Sequence, residues 1–460
     1  MTRSWLLVVG LFLLALGRVT GKGLRDDPIV GDFVQYLDEY TWKASSAPRS
    51  VAATVPGDLI TDLWRAGAVG DPMVEENWLV SGLWDKNDWN YTVTFPSDMP
   101  NGVTELVFDG VKMGAYVYLN DAFLGTINNQ FLRYRFPITP ILKSSNTLVV
   151  SFPAQSKGID CEGRYMACTG GWDWAPYSNT VDQHNSPTMT KGIWKSVYTM
   201  SYSSVAISHI VPQIFYQGEY PTSILSDSSH DGFVVRVGVN LTAARNMDGL
   251  LLVSGDWGVA QTSLLKLNKG ENFEVIELAA KDVKLWWPIG LGEQNLYNIK
   301  VSWEPKDATV VSTTRQIGFR VFTLVSANDT DPSTLKGKDG SSSFTLRFKV
   351  NGANVYSRGA NVIPMEEFEG RANVNALRQL VQSAADAKMN TLRVWGGGIF
   401  MYDEFYDACD RLGILVYQDM MYAQIGHFPA ATQSQLNELI HQVSRLSHHP
   451  SIVLWDGCNE

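Results

Sequence analysis

Apolar and polar positions alternate in short runs over the first two-thirds of the chain, then change near residue 344 to longer, helix-spaced runs. Between residues 27 and 202 the apolar runs are brief: Leu106-Val107-Phe108, Ala115-Tyr116-Val117-Tyr118-Leu119 and Leu148-Val149-Val150-Ser151-Phe152, with Gly, Asn, Asp and Pro between them. A period of two places one face of each strand in a core, so this spacing predicts an all-β sandwich or jelly roll. One short helix is expected over 59–66. A second all-β region is predicted for 205–323, where residues 233–241 carry an aromatic or aliphatic side chain at every odd position and 295–303 reads as a further strand. Its size suits an immunoglobulin-like sandwich. Residues 328–343, rich in Asp, Ser, Lys and Gly, read as an exposed connection.

The last region predicts strands and helices in turn. Val355-Tyr356-Ser357 is strand-like, and helix 374–388 carries an apolar stripe of Leu377, Leu380, Val381, Ala384 and Ala387. Strand 391–395, helix 402–412, strand 414–418, helix 433–446 and strand 452–455 follow. Nearly continuous apolar strands between helices imply a parallel sheet covered by helices. Four such strands fit half of an eight-stranded β/α barrel or a small doubly wound sheet. No internal repeat is present.

The length of 460 residues suits about three domains at roughly 150 residues each, and 45% hydrophobic residues supply their cores. A net charge of −10 without a basic cluster argues against a nucleic-acid partner. Arg3 followed by the apolar run from Leu6 to Leu16 and by Val19-Thr20-Gly21 reads as a signal peptide over 1–21, too short to span a bilayer comfortably. Secretion fits the sequons at Asn90, Asn240 and Asn328. In an oxidising lumen Cys161 and Cys168 could pair, while Cys409 and Cys458 sit in apolar patterns and read as buried thiols. Most of the fifteen tryptophans are expected to anchor sandwich cores. No membrane partner is expected.

A β/α barrel forms its site at the C-terminal ends of its strands. Those ends carry Asn361, Arg393 with Trp395, Asp419, and Asn459 with Glu460. Taken singly, Arg393 and Asp419 read as a buried ion pair; at successive strand ends, the set reads as a site. Gly396-Gly397-Gly398 lacks dinucleotide or P-loop spacing, and no acidic or cysteine cluster is expected to converge on His448-His449 as a metal site.

Thr391-Leu392-Arg393-Val394-Trp395-Gly396-Gly397-Gly398 resembles the second barrel strand of the β-mannosidases of glycoside hydrolase family 2. Residues 402–423, with Asp407-Ala408-Cys409-Asp410 and Gln418-Asp419-Met420-Met421, resemble the third strand and its flanks. Ser447-His448-His449-Pro450-Ser451-Ile452-Val453-Leu454-Trp455 leading to Asn459-Glu460 resembles the fourth. Trp172-Asp173-Trp174-Ala175-Pro176 with Gly192-Ile193-Trp194 is similar to a tryptophan-rich signature of the first domain. Ala175, Val362 and Asp456-Gly457-Cys458 depart from the family pattern and bear on fine substrate contacts.

The resemblance implies a jelly-roll β-sandwich over 22–204, an immunoglobulin-like sandwich over 205–325, and the first half of a (β/α)8 TIM barrel over 326–460. It implies retaining exo-hydrolysis of terminal, non-reducing β-D-mannose in oligosaccharides and glycoproteins, in the lysosome or outside the cell, with no cofactor or metal. Glu460 would be the acid/base, and Asn459 would bond the sugar 2-hydroxyl. Arg393 would hold the nucleophile ionised, Trp395 would wall the pocket, and Trp172 and Asp173 would reach in from the first domain. A Cys161–Cys168 bridge would brace their loop. The nucleophile falls on a later strand of the family's barrel, so the chain is expected to be a fragment that is inactive alone. Two other readings are a β-glucosaminidase, β-galactosidase or β-glucuronidase of the same family, and a non-catalytic carbohydrate-binding protein.

Overall fold

The computed structural model describes residues 24–75, 77, 82–98, 101–154, 158–162, 164, 180–181, 187–188, 190–325, 346–366, 368–423 and 431–459. The first region is a sandwich of two antiparallel sheets. In the six-stranded sheet the order is Arg49–Ala53, Trp42–Ser46, Trp89–Pro96, Ser145–Phe152, Ala115–Leu119, Ala122–Ile127. Phe33–Tyr36, Val197–Tyr202, Val103–Phe108 and Tyr134–Pro137 form the second sheet. Trp89, Tyr91, Val93 and Phe95 alternate into the shared core with Leu148, Val150 and Phe152. The phase that buries them turns Asn90 outward, where it is exposed. The expected short helix is present as Leu59–Arg65, its first turn capped by the Asp58 carboxylate.

The second region has seven strands in sheets of three and four. Val205–Tyr216, Phe233–Ala243 and Gly270–Ala280 face Val259–Leu267, Met247–Gly255, Tyr297–Pro305 and Val311–Ile317. This is the strand count of a small immunoglobulin-like sandwich. Phe233, Val235, Val237, Val239 and Leu241 are all buried, as period two requires. Trp42, Trp84, Trp89, Trp194, Trp286 and Trp303 are fully buried, in keeping with tryptophans as core anchors.

A three-stranded antiparallel sheet, Phe322–Val325, Arg347–Val350 and Ala353–Val355, leads into four parallel strands. We label these β1 (Gly359–Val362), β2 (Thr391–Val394), β3 (Leu415–Asp419) and β4 (Ile452–Asp456). Helices α1 (Val374–Asp386), α2 (Asp403–Leu412) and α3 (Gln433–Leu446) make the three crossovers. The strands neighbour one another in chain order without reversal. Leu392, Val394, Val416 and Ile452 turn to the helices and share one core with Leu377, Phe405 and Leu446.

Three sequence expectations change here. Val355 ends the antiparallel sheet and Tyr356 is 81% exposed, so the first parallel strand begins at Gly359 and holds Asn361 within it. On α1, Leu380 is 40% exposed and Ala387 is an exposed cap, while Ala385 is buried. The stripe is narrower because α1 packs on β2 and α2 and leaves its remaining flank uncovered. Cys409 is buried, but Cys458, in the turn after β4, is only half-buried. Among the described residues no helix is long and apolar enough to cross a membrane.

Candidate active site

Parallel pairing sets Asn361 beside Arg393, Arg393 beside Tyr417, and Asp419 beside Asp456. Side chains two apart on a strand share a face, so one face of the sheet carries Asn361, Arg393, Tyr417, Asp419 and Asp456. The opposite face is the apolar one that meets the helices. The sequence thus splits each strand between a core and a polar cluster.

Arg393 is the hub of that cluster. Its Nε donates to Asp419 Oδ1 at 3.1 Å and one terminal nitrogen donates to Asp419 Oδ2 at 2.7 Å. That second nitrogen also donates to Asn459 Oδ1 at 2.9 Å, and the other reaches Asn361 Oδ1 at 3.4 Å. Four of the five guanidinium donors therefore have acceptors among the described residues. Asp419 is fully buried, and its Oδ2 also accepts the Gly396 amide at 3.0 Å. Burial pushes its carboxyl above the usual range, while Arg393 and the Gly396 amide pull it back. The Arg393 guanidinium lies 5.4 Å from the Tyr417 ring, whose hydroxyl donates a short hydrogen bond to Asp456. The ion pair read from the sequence exists, and it orients two asparagines as well as holding the sheet.

Trp395 directly follows β2, packs against the apolar core and opens a turn closed by the Gly398 amide on the Trp395 carbonyl. A Cβ at Gly397 would meet the Trp395 indole at 2.2 Å. Glycine there lets the ring lie against the backbone. Asn459 is held through its main chain too, its amide donating to the Tyr422 carbonyl at 2.8 Å.

Glu460, Trp172, Asp173, Cys168 and Asn328 lie outside the described residues. Cys161 is buried with a free thiol turned to the Ile159 carbonyl at 3.5 Å. Asn240 is half-buried on the second sandwich. One expectation is corrected: acidic groups do converge on His449. Asp407 and Asp410, three apart on α2, share a helix face and lie with His449 within 4.8 Å. Asp410 is already engaged, by His449 Nδ1 at 2.6 Å and the Ser451 amide at 3.0 Å.

Sequence reasoning missed Tyr417 and Asp456, although alternation along β3 from Asp419 points to Tyr417. It also missed the joint between the first sandwich and the parallel unit. There Arg164 pairs with Glu438 on α3, both side chains fully buried, and Asn129 donates to the same carboxylate at 2.8 Å. No local pattern marks residues 274 positions apart as partners.

Two family descriptions match the chain: the glycosyl hydrolase 2 galactose-binding domain-like family over residues 40–195, and the glycosyl hydrolases family 2 over residues 240–320. The β-mannosidase of Bos taurus is 31% identical over 460 residues, which are 91% of this chain and 49% of the relative. For the β-mannosidase of Rattus norvegicus the identity is 28% over 461 residues, with the same shares of each chain. The chain spans about half the length of the curated relatives it matches. The crystal structure of a β-D-mannosidase from Dictyoglomus thermophilum is similar with a TM-score of 0.75 and 27% identity, covering 92% of this chain and 52% of that one. An exo-chitosanase from Amycolatopsis orientalis shares the fold with a TM-score of 0.73 at 17% identity, over 92% of this chain and 49% of that one.

Proposed function

The chain belongs to glycoside hydrolase family 2, and from that membership we propose that the protein carrying it is a retaining exo-β-mannosidase acting on terminal, non-reducing β-D-mannose. The observation that carries this reading is the cluster at the C-terminal ends of the parallel strands. Arg393, half-buried and paired with the buried Asp419, holds the side chain of Asn459. Glu460, the proposed acid/base, follows Asn459 directly in the sequence. Identity to β-mannosidases over 91% of the chain favours mannose over other glycosides.

In this reading Glu460 protonates the glycosidic oxygen, Asn459 bonds the 2-hydroxyl, and Trp395 walls the sugar, with Trp172 and Asp173 at the rim. The four strands, adjacent in chain order, are the first half of a (β/α)8 barrel. A groove of about 560 Å³ along β1 and α1, lined by Met365, Leu380, Ala384 and Met389, fits a wall that continues past β1. Retention needs a second carboxylate about 5–5.5 Å from the acid. We place it in the part of the relatives that the match does not cover. The leader-like sequence pattern over residues 1–21 and an exposed sequon at Asn90 favour passage through the secretory pathway.

The test is a panel of aryl β-D-glycosides assayed with the protein at its full natural length. The mannoside should have the highest kcat/KM, and Glu460→Gln should lower kcat by about 10²–10⁴-fold. Preference for a glucosaminide or galactoside would reassign the substrate. Sugar affinity without turnover would make it a binding protein.

A further inference from the structure

The guanidinium of Arg164 is fully buried and engages the parallel unit at three points. It donates through Nε to Glu438 on α3 at 2.8 Å, and through a terminal nitrogen to the other oxygen of that carboxylate at 2.5 Å. Its remaining terminal nitrogen donates to the Met421 carbonyl at 2.9 Å, just past β3. The same group sits 4.2 Å from the centre of the Tyr422 ring.

Neighbouring contacts hold Arg164 in place. The Glu162 carboxylate accepts from Thr432 at 2.5 Å, and the Arg164 carbonyl accepts from Gln130 at 3.2 Å. A planar fork can satisfy a carboxylate, a carbonyl and a ring at once, which an ammonium cannot. The segment that Arg164 grips is the one that holds Asn459, because the Tyr422 carbonyl accepts the Asn459 amide at 2.8 Å.

We infer that Arg164 is a positioning residue of the active site, a strut from the first sandwich that fixes Met421-Tyr422 and through them the main chain of Asn459. Asn459 is then held from two sides. Arg393 orients its side chain from within the sheet, and Arg164 sets its backbone from the neighbouring domain. The kinetic part of this inference rests on the glycosidase reading; the structural part does not. A shift of about 1 Å at such a site costs on the order of a hundredfold in rate, so a domain that contributes no reacting group through Arg164 still controls turnover.

The experiment pairs hydrogen exchange with kinetics on the protein at its full natural length. Arg164→Lys keeps the charge but loses the fork, and Tyr422→Leu keeps the Arg164–Glu438 pair but removes the ring. In each variant, exchange over 452–459 should speed up several-fold while exchange over 115–127 in the sandwich stays at the parent rate. On an aryl β-mannoside, kcat should fall by about tenfold or more with KM little changed, and the pH profile should shift as the acid/base moves. Parent-like exchange over 452–459 in the folded variants overturns the inference, whatever the activity. If Arg164→Lys does not fold, Tyr422→Leu decides. Faster exchange in a protein whose parent cleaves no β-mannoside upholds the strut and overturns the functional reading instead.

Discussion

At the scale of single residues, Arg393 illustrates why a structural and a functional reading need not compete. Its pairing with Asp419 is the ion pair that a cautious reading of the strand ends expects, and the bonds to Asn361 and Asn459 come from the same guanidinium. Arg393→Lys replaces a fork by a point charge that cannot keep all of them. Each hydrogen bond to a charged group is worth about 1.5–3 kcal/mol. Losing one should lower kcat/KM by about ten- to a hundredfold, with a modest fall in Tm; steady-state assays and thermal melts check both. Gly397→Ala is the matching steric test. Its methyl would displace the Trp395 indole, so KM should rise while the melting curve changes little. Arg393, Asn361, Asp419 and Asn459 were legible because each sits at or near a strand end. Tyr417 was within reach of the alternation along β3 and Asp456 ends β4, but that the two meet depends on which strands lie side by side.

At the scale of elements, helix spacing and capping chemistry did most of the specification. Thr432 and Gln435 form a reciprocal capping box at the start of α3, and Asn373 caps α1. Thr432→Ala removes both the cap and the Glu162 contact and should cost about 1–2 kcal/mol, read as a lower denaturant midpoint at unchanged slope. Gly413 ends α2 at φ +72°, and a Cβ there would meet the Ile289 amide nitrogen at 2.5 Å. The first parallel strand was misplaced for a physical reason. Gly359-Ala360-Asn361-Val362 has weak intrinsic strand preference, whereas Val355-Tyr356-Ser357 has more. Pairing with β2 makes the weaker segment a strand.

At the scale of the whole molecule, buried polar joints connect the three regions. Lys112 pairs with Glu369, Arg445 with Asp26 and Asp403, and Trp286 donates to the Asp410 carbonyl. His209 of the second sandwich meets His441 of α3 at 3.2 Å. Burial, aided by the cations Arg133 and Arg315, pulls His209 down to about 3, and burial lowers His441 as well. In the unfolded chain such groups take protons below about pH 6.5. The folded joint resists them, so its contribution is complete above that pH and declines as pH falls towards 3. His209→Gln removes one titrating group while keeping a polar side chain. Its Tm should therefore drop less than the parent's between pH 7 and pH 4.5, as differential scanning calorimetry would show.

Two antiparallel β regions followed by alternating strands and helices could be read from the chain because a period of two or of 3.6 is written between near neighbours. The polar strand ends were visible on the same grounds. What no local pattern holds is the meeting of distant segments. Asn361 beside Arg393 follows from strand pairing, Arg164 against Glu438 from domain packing, and the convergence of Asp407 and Asp410 on His449 from a helix face meeting a turn. Those contacts exist only once apolar burial has brought the segments together. Tertiary structure therefore decided which of the visible polar residues share one site and which merely hold the molecule closed around it.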